Sequence, residues 1–138
     1  MREIKFRGKC VADSKHAGQW VCGGYSEPPE DSKQNEGLIT IYLGGSCTCK
    51  YHVIPKTVGQ FTGLRDKNGK EIYEGDIVRY SLDDRKDVGY IGFHARSASF
   101  RVIAEHTDYG IGNRGELHEL NLEVIGNIHD NPELLKWK

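Results

Sequence analysis

Glycine punctuates this chain so regularly that long regular elements have no room. Seventeen of its 138 residues are glycine, set singly or in pairs as at Gly23-Gly24, Gly44-Gly45, Gly63, Gly69 and Gly75. Isolated glycines of this kind mark turns, and many turns in a short chain mean many short strands. No stretch carries a sustained helical stripe. The expected fold is therefore mainly β, built from antiparallel sheets. Hydrophobic residues at 37% and charged residues at 28% suit a globular domain that buries a core without metal or disulfide staples.

The hydrophobic pattern places the strands. Arg2 to Arg7 alternates, with Ile4 and Phe6 on one side and charges on the other, which predicts a strand buried on one face. Further strands are expected over Gln19–Tyr25, Gly37–Leu43 and Thr48–Ile54. The last two pair across Gly44-Gly45, and Pro55 limits the second. Residues 26–36, polar and carrying Pro28-Pro29, read as an exposed loop. Downstream, Val58, Gln60 and Phe61 lead to Gly63, and Ile72-Tyr73 lies between the turns at 66–69 and 74–76. Ile77–Tyr80, Val88–Phe93, Ser99–Glu105 and Leu122–Ile128 read as strands, with 81–87 a charged loop and 106–114 a polar one. Asn131-Pro132-Glu133 has the chemistry of a helix start, so a short C-terminal helix is expected, anchored by Leu134, Leu135 and Trp137. No linker divides the chain. One domain over 1–138 is expected, with an N-terminal strand layer over 1–56 and a barrel-like core over 57–138.

Charge and motifs exclude more than they assign. Nineteen basic against twenty acidic residues give a formal net charge of −1, so no global field steers the chain toward nucleic acid. No apolar run approaches the ~20 residues of a membrane span, and no signal segment opens the chain, so a cytoplasmic location with reduced thiols is expected. Cys47-x-Cys49-x2-His52 is the one metal-like cluster, and Cys22 or Cys10 could complete a tetrahedral set. Its spacing is not that of paired zinc knuckles, and two small residues on a hairpin face explain it equally well. His94, His106, Asp108 and His118 fall near one irregular region, but no nucleophile motif accompanies them. His118-Glu119 opens a zincin-like pattern that Leu122 fails to complete. Gly110-Ile111-Gly112-Asn113-Arg114-Gly115 matches the dinucleotide fingerprint in letters, yet the chain after it has no length for the required helix. Basic residues recur near the N-terminus (Arg2, Lys5, Arg7, Lys9) and centrally (Arg65, Lys67, Lys70, Arg79, Arg85, Lys86), the latter near Phe61, Tyr73 and Tyr80. Gathered on one face they could track a phosphate backbone. Acidic residues such as Asp66, Glu71, Asp83 and Asp87 are interleaved with them, which favours a mixed, solvated surface.

Three segments carry a resemblance. Met1-Arg2-Glu3-Ile4-Lys5-Phe6-Arg7, the run from Gly59 to Val78 through Asp66-Lys67-Asn68-Gly69 and Glu74-Gly75-Asp76, and Glu123 to Leu134 through Asn131-Pro132 resemble the opening, central motif and C-terminal signature of YopX-like phage and prophage proteins. The resemblance implies a small β-rich phage or prophage protein and carries over no catalytic residue. Read physically, Gly63, Asp66, Asn68, Gly69, Gly75, Asp76, Asn131 and Pro132 look architectural, since each falls where the chain must turn. A Gly-Asp turn feeding Ile77-Val78 also resembles SH3-like barrels.

The function expected is that of a non-enzymatic accessory protein, with no cofactor and no membrane, acting through a protein partner or as a homo-oligomer at exposed strand edges. A nucleic-acid-binding module on an SH3-like barrel is the first alternative. A metal protein or enzyme using the Cys47/Cys49/His52 or His94/His106/His118 groups is the second.

Overall fold

The computed structural model describes residues 2–12, 14–31, 35–111 and 120–137. The chain divides into two compact units, Met1–Phe61 and Thr62–Lys138.

In the first unit, β1 (Phe6–Lys9), β2 (Trp20–Ser26), β3 (Gly37–Gly44) and β4 (Cys47–Val53) form an antiparallel array in the order β4-β3-β2-β1, and the first residues of β5 (Gly59–Arg65) pair with β1. A three-residue 3-10 turn, Pro55–Thr57, follows β4, as Pro55 required. Alternation gives the array one apolar side, centred on Ile39 and Val53, both fully buried. Burial of each contributes roughly 1.5–3 kcal/mol. Gly8 faces this centre because a Cβ there would lie 3.0 Å from the Val53 Cβ. The alternation predicted for Arg2–Arg7 starts too early. Pairing begins at Phe6, and Ile4, expected on the buried side, is exposed.

In the second unit, the rest of β5 neighbours β6 (Glu71–Tyr73). A five-stranded antiparallel sheet runs β10-β9-β8-β7-β11, from β7 (Asp76–Leu82), β8 (Arg85–His94), β9 (Ser99–Ile103), β10 (Asp108–Gly110) and β11 (Glu123–Asn127). Its core gathers Ile72, Val78, Tyr80, Ile91, Phe100 and Val102, so the even positions of β7 point inward and Arg79 and Ser81 point out.

Mainly antiparallel β is what the glycine pattern predicted, but two finer expectations are corrected. The barrel does not close: β10 and β11, three and five residues long, stand at opposite ends of the sheet order, and an open sheet lacks the continuous pairing a barrel needs. The SH3-like likeness therefore has no support. Nor is there a C-terminal helix, only the 3-10 turn Pro132–Leu134. Asn131 supplies no side-chain cap to it, because its Oδ1 turns back to accept the Asn127 N–H at 3.3 Å. Leu135 then leaves helical dihedrals at φ −94, ψ 83 and buries its side chain, while Trp137 stacks on Tyr90 at 6.2 Å. The expected charged loop over 81–87 is mostly strand: β7 and β8 meet across Asp83-Asp84, with Asp83 at φ 47.

Candidate functional site

The central and C-terminal motif residues do structural work. Asp66 N donates to Lys70 O at 2.8 Å and Gly69 N to Asp66 O at 3.0 Å, with Gly69 at φ 80. That is a three-residue hairpin loop whose left-handed position suits glycine. The Asp66 carboxylate, buried, accepts the N–H groups of Asn68 (2.8 Å), Lys70 (2.9 Å) and Val124 (2.9 Å). Burial alone would raise this carboxyl. The three backbone donors and the Lys70 charge outweigh burial and hold it below the ordinary range. Asp76, fully buried, accepts the Tyr73 N–H at 2.8 Å. Gly63 and Gly75 sit at φ 88 and 87. Gly75 is bonded through its N–H to Ile91 O (2.8 Å) and through its C=O to Ile128 N (2.9 Å). Asn127 Oδ1 accepts from His129 N and Asp130 N at 3.0 and 2.9 Å, and Asn131 closes the same turn ahead of Pro132.

The metal-like cluster is not assembled. Cys47 and Cys49 share one face of β4, whereas His52, an odd number of residues away, takes the other face and lies 3.2 Å from Glu36. Cys10 is buried, which pushes its thiol up, and Cys22 pairs with Arg7 on the opposite side of the array from Cys49. His94 bonds Ser97 at 2.9 Å, His106 lies exposed beside Glu105, and Asp108 pairs with Arg101. Among the described residues no three such side chains form a ligand set. His118 and Gly112 to Gly115 lie outside the described residues. Phe61, Tyr73 and Tyr80 are buried, so none of these three offers a stacking platform.

What remains exposed and unmatched is a strand edge. Natural sheets guard their edges by shortness, charge, bulges or cover. Here β6 and β10 are three residues long, and β11 has a bulge between Val124 and Gly126 and gives its Val124 N–H to Asp66. Among the described residues, the seven-residue β4 is guarded at its far end, where Val11 N donates to His52 O (3.1 Å), Ile54 N to Lys9 O (2.9 Å), and Cys10 bridges Val53. Those bonds fix the geometry of the rest. In a strand one residue's N–H and C=O point to the same side and alternate, so if His52 and Ile54 point outward, Thr48 and Lys50 do too. From Cys47 to Tyr51 no described strand pairs with this edge, and Lys50 is the one charge on it.

The hairpin tip beside this edge is apolar and open. Tyr42 and Leu43 are 78% and 65% exposed. Tyr42 stands opposite Thr48, and Leu43 occupies the bulge before Gly44. Sequence reading placed the hairpin but not this role. The signal was the adjacent Tyr42-Leu43 pair, which breaks the alternation just before Gly44-Gly45.

Comparison with known proteins agrees with the fold and names the family. Protein EF1440 from Enterococcus faecalis, a crystal structure, matches at a TM-score of 0.59 and 24% identity over 98% of this chain and 99% of that one, a likeness of fold. The SPbeta prophage-derived uncharacterized protein YopX of Bacillus subtilis (strain 168) is 34% identical over 70 residues, which are 49% of this chain. That segment spans about half of the relative's length, 52%. The family model for YopX protein matches residues 5–136, nearly the whole chain. The chain belongs to the YopX protein family.

Proposed function

We propose that this protein is a non-enzymatic, cytoplasmic prophage accessory protein that assembles by strand addition at β4, with a second copy of itself as the occupant. The observation that carries this reading is the open Cys47–Tyr51 edge beside exposed Tyr42 and Leu43. Two copies of one edge paired antiparallel make a closed two-fold interface. Centred on Cys49, that register sets the outward N–H and C=O of Thr48 against those of Lys50 in the second copy. Each Lys50 then faces a threonine rather than a like charge. The register centred on Lys50 brings the two lysines into opposition, and registers beyond it move pairing toward His52, whose carbonyl is already engaged.

Sedimentation velocity over a concentration series tests this. The wild type is expected to show a concentration-dependent dimer. Thr48→Pro removes one outward donor without touching the β3 ladder, a position edge strands tolerate, and is expected to sediment as a monomer. A wild type that remains monomeric, or a Thr48→Pro dimer as stable as wild type, overturns the reading.

A further inference from the structure

The outward side of the five-stranded sheet carries a second feature that is independent of the β4 edge. A depression of about 250 Å³ is lined by Lys67, Arg79, Ser81, Lys86, Asn121 and Glu123. Its residues come from separate parts of the sequence for identifiable reasons. Ser81 and Lys86 are cross-strand partners on β7 and β8, and Arg79 and Glu123 are cross-strand partners on β7 and β11. Lys67 arrives from the β5–β6 loop, its N–H fixed to Leu122 O at 2.9 Å. Asn121 turns the chain into β11 at φ 46. Of the central basic residues, this geometry gathers three. Arg65 is drawn away to Glu71 at 3.1 Å, and Arg85 points to the opposite face of β8 from Lys86.

Two of the three cations meet one carboxylate here. Glu123 Oε2 lies 3.1 Å from Arg79 Nη1 and 3.3 Å from Lys67 Nζ. The Lys67 hydrogen bond, aided by the Lys67 charge and by the Arg79 hydrogen bond and charge, outweighs the opposing effect of desolvation and holds its carboxyl below the usual range. One oxygen of one carboxylate thus positions two cationic side chains. Lys86 has no ion-pair partner among the described residues, and the Ser81 hydroxyl and Asn121 amide have no hydrogen-bond partner there. The remaining donors therefore converge on a concave site with an excess of two positive charges. A phosphate group carries that charge in reverse, about −1.5 to −2, with oxygens that suit guanidinium, ammonium and hydroxyl donors together.

We propose that the Lys67–Arg79–Lys86 depression binds a phosphate group, with Glu123 positioning the two cations rather than touching the ligand. Phosphate of this chemistry comes either from a nucleic-acid backbone or from a free phosphate ester, and the test separates the two.

Inorganic phosphate is titrated into the isotopically labelled full chain at constant ionic strength set with chloride, and amide shifts are followed. Saturable shifts at Ser81, Lys86 and Asn121 are expected. Lys86→Ala should weaken binding about tenfold, the loss of one charge-assisted bond. A single-stranded oligonucleotide is titrated in parallel. Tighter binding that falls with salt at a log–log slope of about −2, for roughly three phosphates neutralised, identifies a backbone ligand. Binding no tighter than inorganic phosphate identifies a free phosphate ester. Absence of saturable shifts with either probe, or identical affinity in folded Lys86→Ala, overturns the proposal.

Discussion

Replacing Asp66 isolates what the central motif contributes. Its carboxylate takes three backbone N–H groups, two on Oδ1 from Asn68 and Lys70 and one on Oδ2 from Val124. Asp66→Asn keeps the size and one acceptor oxygen. It places an amide NH2 against the Val124 N–H, so two donors face each other in a buried site. A hydrogen bond to a charged group contributes about 1.5–3 kcal/mol, and a stranded buried donor costs a further ~1–3, the two not being additive. The expected cost is about 2–3 kcal/mol, a fall of roughly 1–2 M in the urea midpoint for a chain of this size. Because the carboxyl is held below its unfolded value, its contribution is complete above the unfolded Asp value of about 3.9. It is lost as pH falls through the folded value. Wild type and Asp66→Asn should therefore differ at neutral pH and converge in acid. The assay is urea unfolding at both pH values, with amide exchange at Val124, which should quicken in the variant. A neutral-pH difference under about 0.5 kcal/mol, or one equally large in acid, refutes the reasoning.

Other expectations rest on single observations. Gly75→Ala meets only ordinary contacts at Ile128 (3.6 Å) but must hold φ 87, so unfolding should show a loss of about 1–2 kcal/mol from backbone strain alone. Ile91→Ala empties a fully packed position in the second unit's core and should cost about 2–5 kcal/mol in denaturant unfolding. Burial, then the Asp87 charge and Tyr109, pushes the Tyr80 phenol up to about 12. In a spectrophotometric titration Tyr80→Phe should remove a transition near there. In the wild type this group should cost stability as pH climbs from the ordinary tyrosine value toward the folded one, since only the unfolded chain then ionises.

Strand existence was legible because alternation survives wherever one face is buried. Ile39 and Val53 on β3 and β4, and Val78 and Tyr80 on β7, announce their sides in the letters alone. The failures have separate causes. Ile4 alternates with Phe6 yet lies before the first ladder partner. Arg85, Lys86 and Asp87 read as loop because they are charged, but a hairpin end with solvent on its outer face tolerates charge in a strand. The terminal helix failed because capping chemistry is ambiguous. The same Asn-Pro pair that starts a helix also closes the turn that Asn127 and Asn131 lock together. The motif aspartates were read as turn residues, and nothing in the sequence shows that Asp66 reaches Val124, 58 residues away. The open β4 edge was hidden for a related reason: an edge is defined by the strand that is missing, and local pattern does not record order in the sheet.

Disulfide trapping at Cys49 measures the edge pairing most directly. In an antiparallel pair centred on Cys49, the two cysteines occupy a non-hydrogen-bonded site with Cα atoms about 4.5 Å apart, within the span a disulfide bridges. A variant with Cys10→Ala, Cys22→Ser and Cys47→Ser, first shown to unfold cooperatively, is exposed to mild oxidant and weighed by mass spectrometry. A Cys49-linked dimer that forms readily, and is lost when Thr48→Pro is added, is the expected result. A chain that stays monomeric under the same oxidant contradicts self-assembly through β4.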